Sequence, residues 1–492
     1  MMNGPEKSDS AIVAAKPANN AARAGAERVE PRAGTKGNTA QPRTLRTQSR
    51  PGVSQRLDRV RQAAGQRKKE KFTALLHHVD IDCLRDAFLA LKRHAAPGAD
   101  GLTWQDYEAN LEGNLLGLHR RVHSGAYRAL PVRRRFIPKP DGKQRPLGVS
   151  ALEDKIVQRA LVTVLNAIYE EDFLDISYGF RPGRSQHDAL DALAVAIDQT
   201  RVNWILDADI KGFFDSLSQD WLMRFLEHRV GDARVLRLVR KWLKAGVLDQ
   251  GQWSLSETGT PQGAVISPLL ANVYLHYAFD LWAQQWQRRE ARGHMVVVRY
   301  ADDIVVGFER KADADRFWRA MARRLARFAL ELHSTKTRLL PFGRHASAFC
   351  SSNGRGRAPT FDFLGFTHIC GRTRRGGFLL LRHTRADRLR AKLKDIKVEL
   401  RRCWHASIAD QGRWLRRAVN GYFNYHAVPT NSHALRAFRY QVTKLWRRAL
   451  CRRSQRGRVT WVRMHRIAEH WLPPARILHP WPSRRPAVTH PR

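Results

Sequence analysis

Two apolar runs, His-Met-Val-Val-Val-Arg ending at Arg299 and Ile-Val-Val-Gly-Phe starting at Ile304, flank the four residues Tyr300-Ala301-Asp302-Asp303. Short β-branched runs on either side of a tight polar junction predict a β-hairpin whose turn presents two adjacent carboxylates. Upstream, Trp204-Ile205-Leu206-Asp207-Ala208-Asp209-Ile210 reads as another strand, followed by a Gly/Phe turn and helical stretches to about Ala245. The run from Arg133 to Val149 predicts a basic hairpin turning at Asp141-Gly142. Ile156, Val157, Ala160, Leu161, Val164, Leu165 and Ile168 share one helical face. Ser185, three residues before Asp188, forms a capping box that starts a further helix. Helices are also predicted within Asp82–His94, from Pro268 to about Trp286 after a turn at Gly259–Gly263, and around Ala312–Leu330. Helices and strands that interleave in this way predict an α+β or α/β body.

The ends of the chain differ from this body. Residues 1–71 are rich in Ala, Gly, Pro, Ser, Thr, Gln and Arg without an apolar period, so disorder is expected there, with order beginning near Phe72. Beyond Phe366, the stripe Leu389, Leu393, Ile396, Leu400 and Trp404 predicts helices whose other faces are filled by Arg and Lys. Trp414, Tyr422, Tyr425, Trp446, Trp461 and Trp471 are interleaved with that basic sequence, as core residues or as stacking surfaces.

Charge sharpens the division. The 492 residues carry 87 Lys and Arg against 45 Asp and Glu, a formal charge of +42. Residues 1–71 contribute +10 and residues 367–492 contribute +25, which leaves only +7 for the segment holding the carboxylate motifs. An excess of this size calls for a polyanionic partner. No apolar run approaches the roughly 20 residues that span a bilayer, so nucleic acid is favoured over a membrane. Five scattered cysteines, with no Cys-x-x-Cys, fit a reducing compartment and argue against a structural zinc site.

Within the body, Asp209 closes its apolar strand just before Lys211-Gly212-Phe213-Phe214-Asp215. Carboxylates from separate strands that converge on one point can hold the pair of Mg²⁺ ions used for in-line phosphoryl transfer. Asp209 and Asp302 can do so if their strands are neighbours. Taken singly, an Asp-Asp turn is as readily a solvated turn, and an isolated Asp a helix cap.

Three segments in order, Asp209-Ile-Lys-Gly-Phe-Phe214, Pro261-Gln262-Gly263-Ala-Val-Ile-Ser267-Pro268-Leu-Leu-Ala271-Asn272 and Tyr300-Ala-Asp-Asp303, resemble motifs A, B and C of reverse transcriptases. Ser177-Tyr-Gly-Phe-Arg181-Pro-Gly-Arg184-Ser, Lys336 in Ser-Thr-Lys-Thr, and Phe363-Leu-Gly-Phe366 resemble the group II intron-encoded reverse transcriptase/maturases more specifically. The similarity runs from about residue 73 to about 485.

The resemblance implies a right-hand polymerase: fingers and palm with an antiparallel sheet over 72–366, a basic helical thumb or maturase domain over 367–475, and a C-terminal tail over 476–492. It implies that Asp209, Asp302 and Asp303 are the catalytic carboxylates and Mg²⁺ ligands, with the carbonyl of Ile210 assisting. Lys139 and Arg145 are implied at the triphosphate, Phe214 as the gate against a ribose 2′-OH, Gln262 against the nucleotide, and Lys336 as the proton donor to pyrophosphate. Arg181 and Arg184 are implied at the template or primer backbone. The implied partners are structured intron RNA, an RNA template with a DNA primer, dNTPs and a DNA target, with room for a homodimer and no membrane, in a bacterial, nucleoid-associated cytoplasmic setting. The nuclease domain that many such proteins carry is not matched, so second-strand cleavage is not expected. A free-standing or domesticated enzyme in host defence or repair, and a splicing-only RNA-binding maturase, remain as alternatives.

Overall fold

The computed structural model describes residues 53–138, 144–249, 252–254, 258–260, 263–354, 356–453 and 458–485. The strands in chain order are β1 (Val132–Pro138), β2 (Gln144–Val149), β3 (Trp204–Asp209), β4 (Val247–Asp249), β5 (Gln252–Ser254), β6 (Met295–Tyr300), β7 (Asp303–Phe308), β8 (Arg338–Pro341), β9 (Phe361–Phe363), β10 (Phe366–Arg372) and β11 (Phe378–Thr384). They form three sheets ordered β2-β1-β4-β5, β6-β7-β3-β8 and β11-β10-β9. Pairing is antiparallel throughout except between β1 and β4, so the expected α+β class holds.

The β6-β7-β3-β8 sheet is central because both of its faces are apolar. Alternation sends Leu206, Ala208, Ile304 and Val306 to a large core shared with the helices Leu152–Asp172, Ser267–Leu275 and Lys311–Ala326. Ile205, Val298, Tyr300 and Val305 point the other way, onto the helix Gln186–Gln199 and the β9–β11 sheet. The helix Gln186–Gln199 starts at Ser185, whose hydroxyl accepts from the Asp188 amide while Asp188 accepts from the Ser185 amide, the predicted capping box. A third core joins the helices Ala386–Arg402, Ile408–His426, Ser432–Cys451 and Trp461–Trp471 around Trp446, whose indole N–H donates to Gln411 at 2.8 Å.

Four features depart from the sequence pattern. Helix Val53–Gln66 lies inside the segment expected to be disordered, with Leu57 and Ala64 buried against the body. It is held by Arg229, which donates to the carbonyls of Ala64, Arg67 and Glu70 and pairs with Asp172 at 2.8 Å, long-range partners that local periodicity does not report. The helix expected over Pro268–Trp286 runs from Ser267 to Arg289 and contains a π turn at His276–Asp280. The region beyond Phe366 begins as strands β10 and β11 before it turns helical. The segment expected to be a C-terminal tail docks as far as Arg485, which pairs with Asp188 and Asp191.

Candidate active site

Asp209 is the last residue of β3 and Asp303 the first of β7, and the register sets them directly opposite each other. Side chains so paired share one face of the sheet with Cβ atoms about 5 Å apart. Asp303 is buried and Asp209 nearly so, at 6% and 18% exposure. Asp302 occupies the two-residue turn between β6 and β7, after Ala301 in the left-handed region at φ 54°. The two strands are neighbours, which is the condition the sequence left open, and the three carboxylates fall at one end of the sheet.

On the other side of Asp209, β8 pairs with β3, and the loop before it carries Lys336. Its Nζ lies 2.6 Å from Asp209 Oδ2. The chain after β3 is pinned to this loop. Ile210 bridges Leu332, framed by bonds from the His333 amide to the Asp209 carbonyl and from the Lys211 amide to the Glu331 carbonyl. The Ile210 carbonyl takes no part in that frame.

Phe214 sits in the short helix Phe213–Ser216, half-buried with its ring edge-on to Phe213. Its carbonyl accepts from the Thr260 amide at 2.9 Å. A Cβ on Gly259 would lie 2.7 Å from that carbonyl oxygen, and one on Gly263 would lie 2.6 Å from the Leu147 side chain. Two glycines thus let one loop approach both the Phe214 backbone and β2, the strand that carries Arg145. Lys139 and Gln262 lie outside the described residues.

Arg181 is not placed for its implied role. Arg181 is only 3% exposed, and its guanidinium is taken up by Glu170 and by the carbonyls of Leu174 and Ser177. A group satisfied in this way is not presented to a nucleic-acid backbone. Arg184 is partly exposed but pairs with Asp175. Both shape the Ser177–Ser185 segment.

Sequence reasoning missed the support beneath the turn. Arg299, Asp280 and Asn272 are buried together behind Ala301. An arginine inside an apolar strand was the available signal, since a buried charge needs a partner.

Mg²⁺ fits this donor set by chemistry. Hard divalent ions take carboxylate and carbonyl oxygens, and Asp209, Asp302, Asp303 and Ile210 offer nothing else. Among the described residues, no group of three or more His, Cys, Asp and Glu stands in ligating geometry, and the Lys336 ammonium already lies against Asp209.

Residues 137–368 match the family described as reverse transcriptase (RNA-dependent DNA polymerase). The chain is 38% identical to protein YkfC of Escherichia coli (strain K12), over 44% of this chain and 65% of that protein. It is 34% identical to the group II intron-encoded protein LtrA of Lactococcus lactis subsp. cremoris, over 45% of this chain and 37% of that protein. A 91 kDa protein in the cob intron of Schizosaccharomyces pombe is 28% identical, over 66% of this chain and 46% of that protein. The chain thus spans less than two thirds of the length of each of these relatives. Among the described residues, no helix is long and apolar enough to cross a membrane.

Proposed function

We propose that this chain, a member of the group II intron-encoded reverse transcriptase/maturase family, is an RNA-directed DNA polymerase that also binds a structured intron RNA to promote its splicing and mobility. The observation that carries the catalytic half is the cross-strand pair Asp209 and Asp303, with Asp302 at the adjoining turn and Lys336 at 2.6 Å from Asp209. In this reading the β6-β7-β3-β8 sheet is the palm, the β1–β2 hairpin belongs to the fingers, and the basic helices from Ala386 onward are the thumb.

The three aspartates and the Ile210 carbonyl would hold Mg²⁺, which when bound makes the primer 3′-OH more acidic and neutralises the leaving pyrophosphate. The protein's own residues do the rest. Asp209 and Asp303 fix the reacting end of the sheet, and their mutual repulsion favours a cation between them. Lys336, whose ammonium is already within hydrogen-bond reach of Asp209, supplies a proton to the leaving group. Phe214 lies against Gly259 and Thr260, where a ring can exclude a ribose 2′-OH, and Arg145 offers a fixed positive charge to the triphosphate. Intron RNA as a partner is supported by the +25 charge of residues 367–492 and by the naming of LtrA and the cob-intron protein.

The test is Asp302→Asn in the full chain. Mg²⁺-dependent primer extension on an RNA template should vanish while RNA affinity stays at the wild-type value. Surviving extension would overturn the ligand assignment. A wild-type protein that binds RNA but never extends a primer would leave only the splicing role. Sequencing the RNA that copurifies with the protein tests the maturase half, which predicts one dominant RNA carrying this reading frame between intron-like flanks.

A further inference from the structure

Directly beneath the Asp-Asp turn lies a buried ion pair that the chemistry above leaves unused. Arg299 and Asp280 are both fully buried and meet twice, Nη2 to Oδ2 at 2.6 Å and Nε to Oδ1 at 2.7 Å. A buried pair of this kind adds little stability that a packed apolar pair would not, so its specific geometry asks for another reason. The remaining donors supply one. Arg299 Nη1 donates to Asn272 Oδ1 and to the Ala301 carbonyl, both at 3.1 Å, and Nη2 donates to Ser177 Oγ at 2.7 Å. Asn272 in turn donates to the Gly179 carbonyl at 2.7 Å.

The backbone converges on the same point. The Arg299 amide donates to Ile176 at 2.8 Å and the Tyr178 amide to Arg299 at 2.9 Å, so this segment runs parallel beside β6. Gly179 then lies against the turn itself, where a Cβ would sit 2.5 Å from the Ala301 nitrogen. Ala301 is held at φ 54°, a region that residues with a side chain seldom enter. Asp280 closes the π turn His276–Asp280, which shifts the register of that helix by one residue where the partner for Arg299 is needed.

We propose that Arg299 is a positioning residue for Asp302 and Asp303: anchored by Asp280, Asn272 and Ser177, it grips the Ala301 carbonyl and fixes the left-handed turn that aims the two carboxylates. The inference rests on the polymerase reading, since it assigns Arg299 a task in that site. The Ser177–Arg181 segment is then a brace for the hairpin. Arg299 acts through the Ala301 backbone and touches no reactant.

The experiment uses the full chain with Ser177→Ala, Ala301→Gly and Arg299→Lys, and reads four quantities. These are amide exchange at Ala301 and Asp302 without Mg²⁺, the Mg²⁺ concentration for half-maximal primer extension, RNA affinity and melting temperature. Ala301→Gly leaves the ion pair intact and suits the observed φ, so the fold is retained. It should speed exchange at Asp302 by about tenfold and raise the Mg²⁺ requirement several-fold, with RNA affinity unchanged. Ser177→Ala should move the same two readouts in the same direction by less. Arg299→Lys, which keeps the charge but loses the fork, should lower kcat by at least about tenfold with little change in the KM for dNTP. If Ser177→Ala and Arg299→Lys both leave exchange at Asp302 and the Mg²⁺ requirement at wild-type values, Arg299 is a core ion pair only and the proposal falls. If the wild type extends no primer, the polymerase reading fails separately, and the exchange data alone decide whether the turn is gripped.

Discussion

Lys336 and Arg181 are both cations next to carboxylates, and their surroundings give them opposite uses. The Lys336 side chain is 60% exposed, so its contact with Asp209 is screened by water and is worth at most about 1 kcal/mol of stability. Replacing it with alanine should leave the melting temperature within error while slowing primer extension by about two orders of magnitude, the usual scale for loss of a general acid. Single-turnover extension alongside thermal denaturation checks both halves, and full activity in Lys336→Ala would remove its proton-donor role. Arg181 is buried with one carboxylate and two backbone carbonyls around it, and burial pulls its guanidinium below its usual basicity. Truncation to alanine strands Glu170, a carboxylate whose own pKa burial raises. The expected loss is about 3 kcal/mol in denaturant unfolding with RNA affinity unchanged in the folded fraction, the reverse of what a template contact would give. Sequence identified both residues by type, but exposure separates their roles.

At the level of elements, period-2 and period-3.6 patterns located β3, β6, β7 and the capped helix at Ser185, which bury one or both faces, and the two strands of the basic hairpin, whose expected turn at Asp141-Gly142 lies outside the described residues. The pattern failed where an element is held by partners remote in sequence. Helix Val53–Gln66 carries few apolar residues, and its docking depends on Arg229, more than 150 positions away, and on Asp172. Arg229→Ala should cost about 3–5 kcal/mol, since it leaves the buried Asp172 with only Lys68 at 3.8 Å and removes the carbonyl contacts. Limited proteolysis should then cut within residues 53–71 before the rest of the folded chain, whereas simultaneous cutting everywhere would mean that the helix is not a separable brace. Strands β10 and β11 were missed although they pair with each other as a local hairpin. Phe366, Thr367 and Ile369 in β10 and Phe378 and Thr384 in β11 favour strands, and the hairpin is held by seven register pairs and by packing under the helix Gln186–Gln199.

Across the whole molecule, buried imidazoles set the response to acid. His187, His368 and His426 are pushed down to about 3 and His276 to about 4, in each case chiefly by burial, with neighbouring cationic groups adding to it. In the unfolded chain these groups titrate near 6.5. Their contribution to stability is therefore full above that value and is lost as pH falls from about 6.5 toward 4, because the unfolded chain takes up protons that the native core refuses. Asp154, raised to about 6 by burial, works the other way, losing its contribution as pH rises through 6. Burial also raises Glu170 and Asp172 and lowers His78, His119, His383 and His479, so eight histidines against three carboxyls predict a melting temperature that drops steeply on acidification below about pH 6, and a flat profile between pH 4 and 7 would refute the burial of these rings. The charge of +42 predicts in addition that RNA affinity falls steeply with salt, as a log–log titration would measure.

The sequence by itself placed Asp209 and the Asp302-Asp303 pair at the ends of apolar strands, because carboxylates that interrupt such runs leave a local imprint, while the other candidate site residues rest on the family resemblance. It also determined the split between a nearly balanced body and basic ends, which depends on composition alone. Only the tertiary structure decided that Asp209 faces Asp303, that Lys336 reaches Asp209, that Arg181 is buried, and that Arg299 holds the Ala301 turn. The first two are contacts between segments far apart in the chain, and the grip of Arg299 on its near neighbour is fixed by the remote Ser177, Asn272 and Asp280. A strand's pattern tells which face is buried but not which strand lies beside it, and a charge tells that a partner is needed but not where the fold will supply one.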